Sequence, residues 1–323
     1  MILAGLNAGI SGIPFWGWDL AGFGGEIPSA ELYLRATAMA AFCPIMQYHS
    51  EYNEHREPCR DRTPWNIQER TCDADVIPVF RKYANVRMNL LPYIYSEAWK
   101  SSQSGVPLMR ALPVEIPADL ACRDYPYQYL FGDHLLVAPV VEEDRTSWPV
   151  YLPEGTWHSL WTGETQKGPR VLDFPAPKEL IPVFVRAGAV LPLNLGEQYA
   201  VGDGVGNAVG CYRNLCFMLY SEDQTSYEWF DGVSSKTCTL RCEKGPHGAL
   251  ARIEIGPIRH THCLMIKGTS PSAVRCDGRL LQRSREPRHW RDLRQEGWYL
   301  NAENDTLYVR LRVHRFRGVV ETV

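Results

Sequence analysis

The sequence predicts an α/β segment followed by two all-β segments. Three observations carry that prediction. Strand-like and helix-like signals alternate over residues 1–117, short apolar runs divided by Gly, Pro and Asp turns take over after Asp119, and a polar stretch over Gly196–Gly210 splits those runs in two. At 323 residues the chain exceeds what one compact core usually holds, so several domains are expected. The boundaries expected are 1–117, 118–196 and 197–323.

Ile13–Trp18 is a short apolar run between Gly12 and the cluster Gly22, Gly24 and Gly25, the pattern of a buried parallel strand running into a loop. Glu31–Phe42 reads as a helix with Leu32, Ala36, Met39 and Ala40 on one face. Residues 43–75 are polar and charged, and a loop of that length in a compact domain is usually functional. Val76–Trp99 carries Phe80, Tyr83, Ala84, Leu90, Leu91, Ile94 and Ala98 at helical spacing, with Pro92 placed to kink or divide it. Gly105 is a helix stop, and Val106–Pro117 reads as another buried strand. Beyond it, YLFGDHLLVAPVV, PVYLP, TWHSLW and PVFVRAGAVLPL are short strands. CYRNLCFMLYS, TSYEWF, KTCTLRC, LARIEI, HCLMI, GWYL and TLYVRLRV then have the spacing of a β-sandwich.

Composition narrows the function. Lys plus Arg total 34 against 37 acidic residues, a net charge of −3, which gives no basic surface for nucleic acid or an anionic membrane. The N-terminus MILAGLNAGISGIPFWGWD has no basic region, and Pro14 with repeated glycines interrupts any apolar helix, which argues against a signal peptide or membrane span. It opens inside an apolar segment of mid-domain character. Ten cysteines without a C-x-x-C knuckle read as reduced core thiols of a cytoplasmic protein.

Two segments carry candidate chemistry. In GISGIPFWGWDLAGFGG a carboxylate, Asp19, follows an apolar run and precedes a Gly-rich loop, among Trp16, Trp18 and Phe23. Barrel enzymes place ligand groups at the C-terminal ends of parallel strands in this way. Aromatic faces stack on a pyranose while a carboxylate accepts from its hydroxyls. The same residues equally fit a packed core and a loop cap. In FCPIMQYHSEYNEHREPCRDRTPW, His49 and His55 are six apart, which is not a metal-binding spacing. His49 fits better as a partner for a sugar hydroxyl, because a neutral imidazole both donates and accepts. No metal and no cofactor are expected.

IPFWGWDLAGF, AFCPIMQYHS, REP, ERT, VIPVFRKYANVRMNLLPYIYSEA, GVPLMRAL and YLFGDHLLVAPV, in that order, resemble the second half of the catalytic region of glycoside hydrolase family 31. YLPEGTWHSLWTGE and PVFVRAGAVLPL resemble that family's proximal C-terminal β-domain, and the remainder loosely resembles its distal one. The resemblance implies the last two strands and their helices of a (β/α)8 TIM barrel, followed by two β-sandwich-like domains. It also implies retaining hydrolysis of α-linked glucosides or xylosides, by two carboxylates roughly 5 Å apart.

By that resemblance Asp19 is the strand-seven carboxylate that binds sugar hydroxyls, Phe23 shapes the same pocket, His49 hydrogen-bonds the sugar, and Trp16 is a neighbour. Both catalytic aspartates of the family belong upstream of Met1, and no Asp precedes Asp19. Catalytic residues are therefore not expected in this chain. Glu51 or Glu57 beside Asp19 gives no acid on the opposite face of a glycosidic bond. Trp18 and Cys72 depart from the family's pattern, which has a smaller or polar residue at the first and Gly at the second. The expected partner is an oligosaccharide or aryl α-glycoside, with a missing N-terminal half or a homo-oligomer as further partners. Three readings follow: a portion of a retaining α-glycosidase that is inactive alone, a non-catalytic carbohydrate-binding or scaffolding protein, and one half of a split enzyme. Ile10, Ile13, Phe15, Leu108 and Leu112 look core-like, which argues against the second.

Overall fold

The structure, a computed structural model, describes residues 1–49, 57–220, 222, 224–232, 234–244, 250–258, 262–285, 296–311 and 316–322. Packing divides the chain into two compact units, one of residues 1–87 with 97–184 and the other of 88–96 with 185–323. The region expected as barrel and most of the region expected as the first β-domain thus fall in one unit.

In the first unit, helix α1 (Ile2–Ile10) is followed by an irregular segment, then α2 (Ala30–Ala40), α3 (Pro64–Thr71) and α4 (Val76–Asn89). Ser29 caps α2 by accepting from the Leu32 N–H at 3.1 Å, and Glu31 pairs with Arg35 one turn on. Every residue of α2 from Tyr33 to Ala40 is buried, which the alanines at 36, 38 and 40 permit. Leu32, expected on the core face, is instead 47% exposed, because the buried face is set by Tyr33 and Leu34. Thr63 caps α3, with Pro64 in the first turn, where its missing N–H costs nothing. The long helix expected over Val76–Trp99 is divided: α4 stops at Asn89 and α5 (Leu91–Ser104) begins just before Pro92.

A six-stranded sheet completes this unit, made of β1 (Met109–Ala111), β2 (Tyr129–Phe131), β3 (Leu135–Val137), β4 (Ser147–Ser159), β5 (Thr165–Pro175) and β6 (Val183–Arg186). Its order is β1-β2-β3-β6-β4-β5. Its core gathers Leu112, Leu130, Leu136, Val150, Trp157 and Phe184. Helix α4 is tied to the loop before β6. The Tyr83 hydroxyl donates to the Glu179 carbonyl at 3.0 Å and accepts from the Ile181 N–H at 3.2 Å. Trp161 Nε1 donates to the Ile181 carbonyl at 2.7 Å.

Two expected strands differ from the sequence reading. Val106–Pro117 forms only the short β1, paired antiparallel with β2, and then turns into α6 (Leu112–Glu115). Pro113 has no N–H to extend a ladder and instead starts that helix turn. Ile13–Trp18 is not a buried strand. It is irregular, and Ile13 and Phe15 are 57% and 44% exposed. Its pairing is one isolated parallel bridge, Asp19 with Gln47, flanked by backbone bonds from Ile45 N to Trp16 O and from Leu20 N to Gln47 O. Ile10 is likewise 57% exposed, whereas Leu108 and Leu112 are buried as expected.

The second unit is built on two six-stranded sheets. One has β7 (Val190–Asn194), β8 (Leu215–Tyr220), β12 (His262–Lys267), β15 (Gln282–Arg283), β16 (Gly297–Asn301) and β17 (Thr306–Leu311). The other has β9 (Gln224–Asp231), β10 (Lys236–Lys244), β11 (Leu250–Ile258), β13 (Val274–Cys276), β14 (Arg279–Leu280) and β18 (Phe316–Thr322). Phe217 of the first meets Trp229 of the second edge-to-face at 5.5 Å, so aromatic burial joins the sheets. Residues 88–96 belong here through Asn89. Its amide donates to the carbonyls of Asn194 and Asp203 at 2.8 and 3.0 Å, and its oxygen accepts from the Gly202 N–H at 2.7 Å.

Candidate functional site

The site forms where the segment ending in Asp19 meets the segment ending in His49. The two run side by side and parallel, so Asp19 and Gln47 oppose each other and their side chains project to one face. Gln47 Nε2 donates to Asp19 Oδ1 at 3.0 Å. Two residues on from Gln47, His49 stacks with Phe23 at 5.1 Å between ring centroids and 29° between planes. Three of the four residues expected at a sugar site, Asp19, Phe23 and His49, are therefore brought together by these two segments and the loop that follows Asp19. Trp16 faces a different neighbour: its ring lies against α1, so that a Cβ on Gly5 would come within 2.6 Å of it.

Close backbone contact holds the two segments together. A Cβ on Gly17 would stand 2.6 Å from the Ile45 Cβ, so only glycine allows this approach. Two residues before Ile45, burial pushes the Cys43 thiol up to about 12. Such a thiol is protonated and inert at neutral pH.

Two arginines, the buried Arg62 and the half-buried Arg87, secure the loops. Arg62 donates to the carbonyls of Gly24, Gly25 and Glu26 at 2.8, 3.3 and 2.9 Å, and to that of Arg60 at 2.7 Å. It thereby fixes the loop that follows Phe23, and Arg60 adds an ion pair to Glu26 at 2.6 Å. Arg87 donates to the carbonyls of Ala41, Cys43 and Pro44, just ahead of Gln47 and His49. Burial lowers the Arg87 guanidinium to about 10, which leaves it charged at neutral pH.

Gln47, Arg62 and Arg87 escape the sequence reading. Gln47 had one available signal, its spacing of two from His49, which puts both on one face of an extended segment. The arginines had none, because their partners are backbone carbonyls brought near by folding.

Glu57 is exposed, and Glu51, Glu54 and His55 lie outside the described residues. Among the described residues no group of three or more His, Cys, Asp or Glu side chains could hold a metal ion, and no helix is long and apolar enough to cross a membrane. The ten cysteines are free thiols.

A carboxylate, an amide, an imidazole and an aromatic face at the end of adjoining parallel segments are the equipment of a carbohydrate-active protein. Comparison with known families agrees. Residues 1–97 match the glycosyl hydrolases family 31 TIM-barrel domain, and residues 105–191 match the glycosyl hydrolase family 31 C-terminal domain. The chain belongs to glycoside hydrolase family 31.

The chain is 41% identical over 308 residues to the isomaltosyltransferase of Sporosarcina globispora, covering 95% of this chain and 28% of that protein. It is 38% identical over 241 residues to the α-xylosidase of Saccharolobus solfataricus, covering 72% of this chain and 31% of that one. The cycloalternan-forming enzyme of Listeria monocytogenes, solved with a pentasaccharide substrate, superposes with a TM-score of 0.94 at 36% identity, over 99% of this chain and 30% of that one. The chain spans less than a third of the length of each of these three relatives.

Proposed function

We propose that this chain supplies the sugar-binding part of a retaining α-glycosidase acting on terminal α-linked glucosides or xylosides, and that it is inactive alone. The observation that carries the reading is the Asp19–Gln47 pair set beside the stacked Phe23 and His49. The amide and carboxylate suit neighbouring hydroxyls, the imidazole suits one more, and the exposed Phe23 suits the C–H face of the ring. Trp16, whose ring lies against α1, is the fourth residue of this reading and acts through that packing.

Retaining hydrolysis needs a nucleophile and a general acid/base about 5 Å apart across the glycosidic bond. One oxygen of Asp19 accepts from Gln47, and the other is left for a sugar hydroxyl. In this reading Asp19 binds, and two carboxylates from elsewhere react. No cofactor takes part, since the two carboxylates carry every proton transfer. A reducing, cytoplasmic setting suits the ten free thiols.

The test is hydrolysis of p-nitrophenyl α-glucoside and α-xyloside by the 323-residue chain. No turnover is expected, together with weak binding of the free sugars. Turnover abolished by Asp19→Ala would overturn the reading and make Asp19 a catalytic residue.

One observation favours completion by further barrel strands, whether these belong to the same polypeptide or, as in a split enzyme, to a separate one. Ile10, Ile13 and Phe15 are large apolar side chains left half exposed in the barrel segment. Adding a polypeptide that carries the remaining barrel strands is expected to restore turnover. Persistent inactivity of both that mixture and a covalently continuous chain carrying those strands would leave binding or scaffolding as the better account.

A further inference from the structure

We propose that Gln47 is itself a sugar-binding residue, acting with Asp19 on neighbouring hydroxyls of one pyranose. The proposal rests on the reading of this site as a sugar pocket and adds to it a residue and a division of labour. Gln47 opposes Asp19 across the parallel bridge and lies two residues before His49 on the same extended segment, so the three side chains share a face.

The amide orientation follows from chemistry. A carboxylate only accepts hydrogen bonds, so the Gln47 group 3.0 Å from Asp19 Oδ1 must be the NH2. That leaves the amide with a second N–H and a carbonyl oxygen for a ligand, while Asp19 keeps a second acceptor oxygen. A sugar hydroxyl both donates and accepts, and Asp19 alone answers only the first need. A hydroxyl that donates to Asp19 and is then closed off from water would lack a donor for its own lone pairs, at real cost. Gln47 is the neighbouring side chain able to supply that donor. It is exposed, as His49 and Phe23 are, so it is reachable by a ligand.

The alternative role is a prop, in which Gln47 only orients the Asp19 carboxylate. The two differ in how substitution combines with removal of a sugar hydroxyl. The experiment titrates the 323-residue chain with methyl α-D-glucopyranoside and its monodeoxy derivatives, read by tryptophan fluorescence, for the wild type, Gln47→Leu and Gln47→Glu. Thermal melting is followed in parallel.

For direct contact, Gln47→Leu is expected to melt as the wild type does and to bind the parent sugar about fivefold more weakly, as for one lost hydrogen bond. Gln47→Glu, whose carboxylate would face that of Asp19, is expected to bind it more weakly still. One monodeoxy sugar should be indifferent to Gln47→Leu, because its missing hydroxyl is the one Gln47 holds. Affinity within about twofold of wild type, less than a hydrogen bond is worth, would overturn the proposal, as would an equal loss across the whole deoxy series. Phe23→Ala and Asp19→Ala separate the two levels of argument. If they weaken binding while Gln47→Leu does not, the pocket stands and this inference falls. If the wild-type chain binds none of the sugars, both fall together.

Discussion

Gly17 lies against Ile45 so closely that a Cβ on the glycine would stand 2.6 Å from the Ile45 Cβ. That carbon is fixed to the backbone and has no rotamer by which to withdraw. Gly17→Ala must therefore push the Trp16–Asp19 and Ile45–Gln47 segments apart, between two of the backbone bonds that join them. We expect a loss of about 1–3 kcal/mol in stability, and weaker sugar binding alongside it. Calorimetric melting and a sugar titration measure the two effects. Unchanged values in both would show that the segments tolerate a wider spacing.

Asn89 is fully buried, and its amide satisfies three backbone groups. Asn89→Leu keeps the approximate volume and removes all three bonds, leaving the Gly202 N–H and the Asn194 and Asp203 carbonyls short of partners. The expected cost is about 3 kcal/mol, at roughly one for each lost bond. Urea denaturation should show the midpoint falling for the sandwich, and a variant as stable as the wild type would contradict the role given to Asn89.

Cys72 ends α3 in the left-handed conformation, with φ 55°. A Cβ is strained there, whereas glycine is at ease. Cys72→Gly loses only a weak thiol contact to the Glu69 carbonyl at 3.6 Å, so a gain of about 1 kcal/mol is expected. The residue noted as a departure from the family's pattern is thus also a small, correctable strain. A fall in Tm would mean that the thiol contributes more than its geometry suggests.

Lys178 reaches Asp73 and Asp75 at 2.7 and 2.9 Å. The hydrogen bond from Lys178 holds the Asp73 carboxyl below its ordinary value, and the same pair of aspartates raises Lys178 above its own. A lowered carboxyl stabilises above its unfolded value, about 3.9 for aspartate, and that share is lost as pH falls through the lower folded value. The raised amine contributes fully below its unfolded value and loses its share as pH rises through the higher folded one. The groups are partly exposed, so the pair is worth at most about 1 kcal/mol. Lys178→Met should lower the plateau between these limits by that amount and flatten both limbs of the stability profile. Parallel curves for variant and wild type would rule the contribution out.

Legibility in the sequence tracks how local the cause is. The helices over 30–40 and 76–104 were readable because caps, periodicity and Pro92 act within a few residues. The all-β character after Asp119 was readable from turn residues and alternation. Ile13–Trp18 has the composition of a buried strand, yet a strand also needs paired neighbours, and among the described residues only the 45–47 segment supplies one. Leu32 misled because α2 is buried nearly all round, so apolarity alone does not single out its solvent face. Asp19, Phe23 and His49, which the structure brings near one another, were picked out in the sequence by their motifs. Gln47 and the two arginines depend on contacts 28 to 46 residues apart in sequence.

The anchoring of residues 88–96 in the second unit bears on how such proteins recombine. A gene rearrangement that copied the sandwich as one uninterrupted stretch from Val185 would leave behind Asn89, which its own loops are shaped to receive. The two sheets and the 88–96 segment are in this sense one piece of structure written as two pieces of sequence. A crossover at Val185 therefore parts the sheets from Asn89, whereas one ahead of Met88 divides the first unit instead.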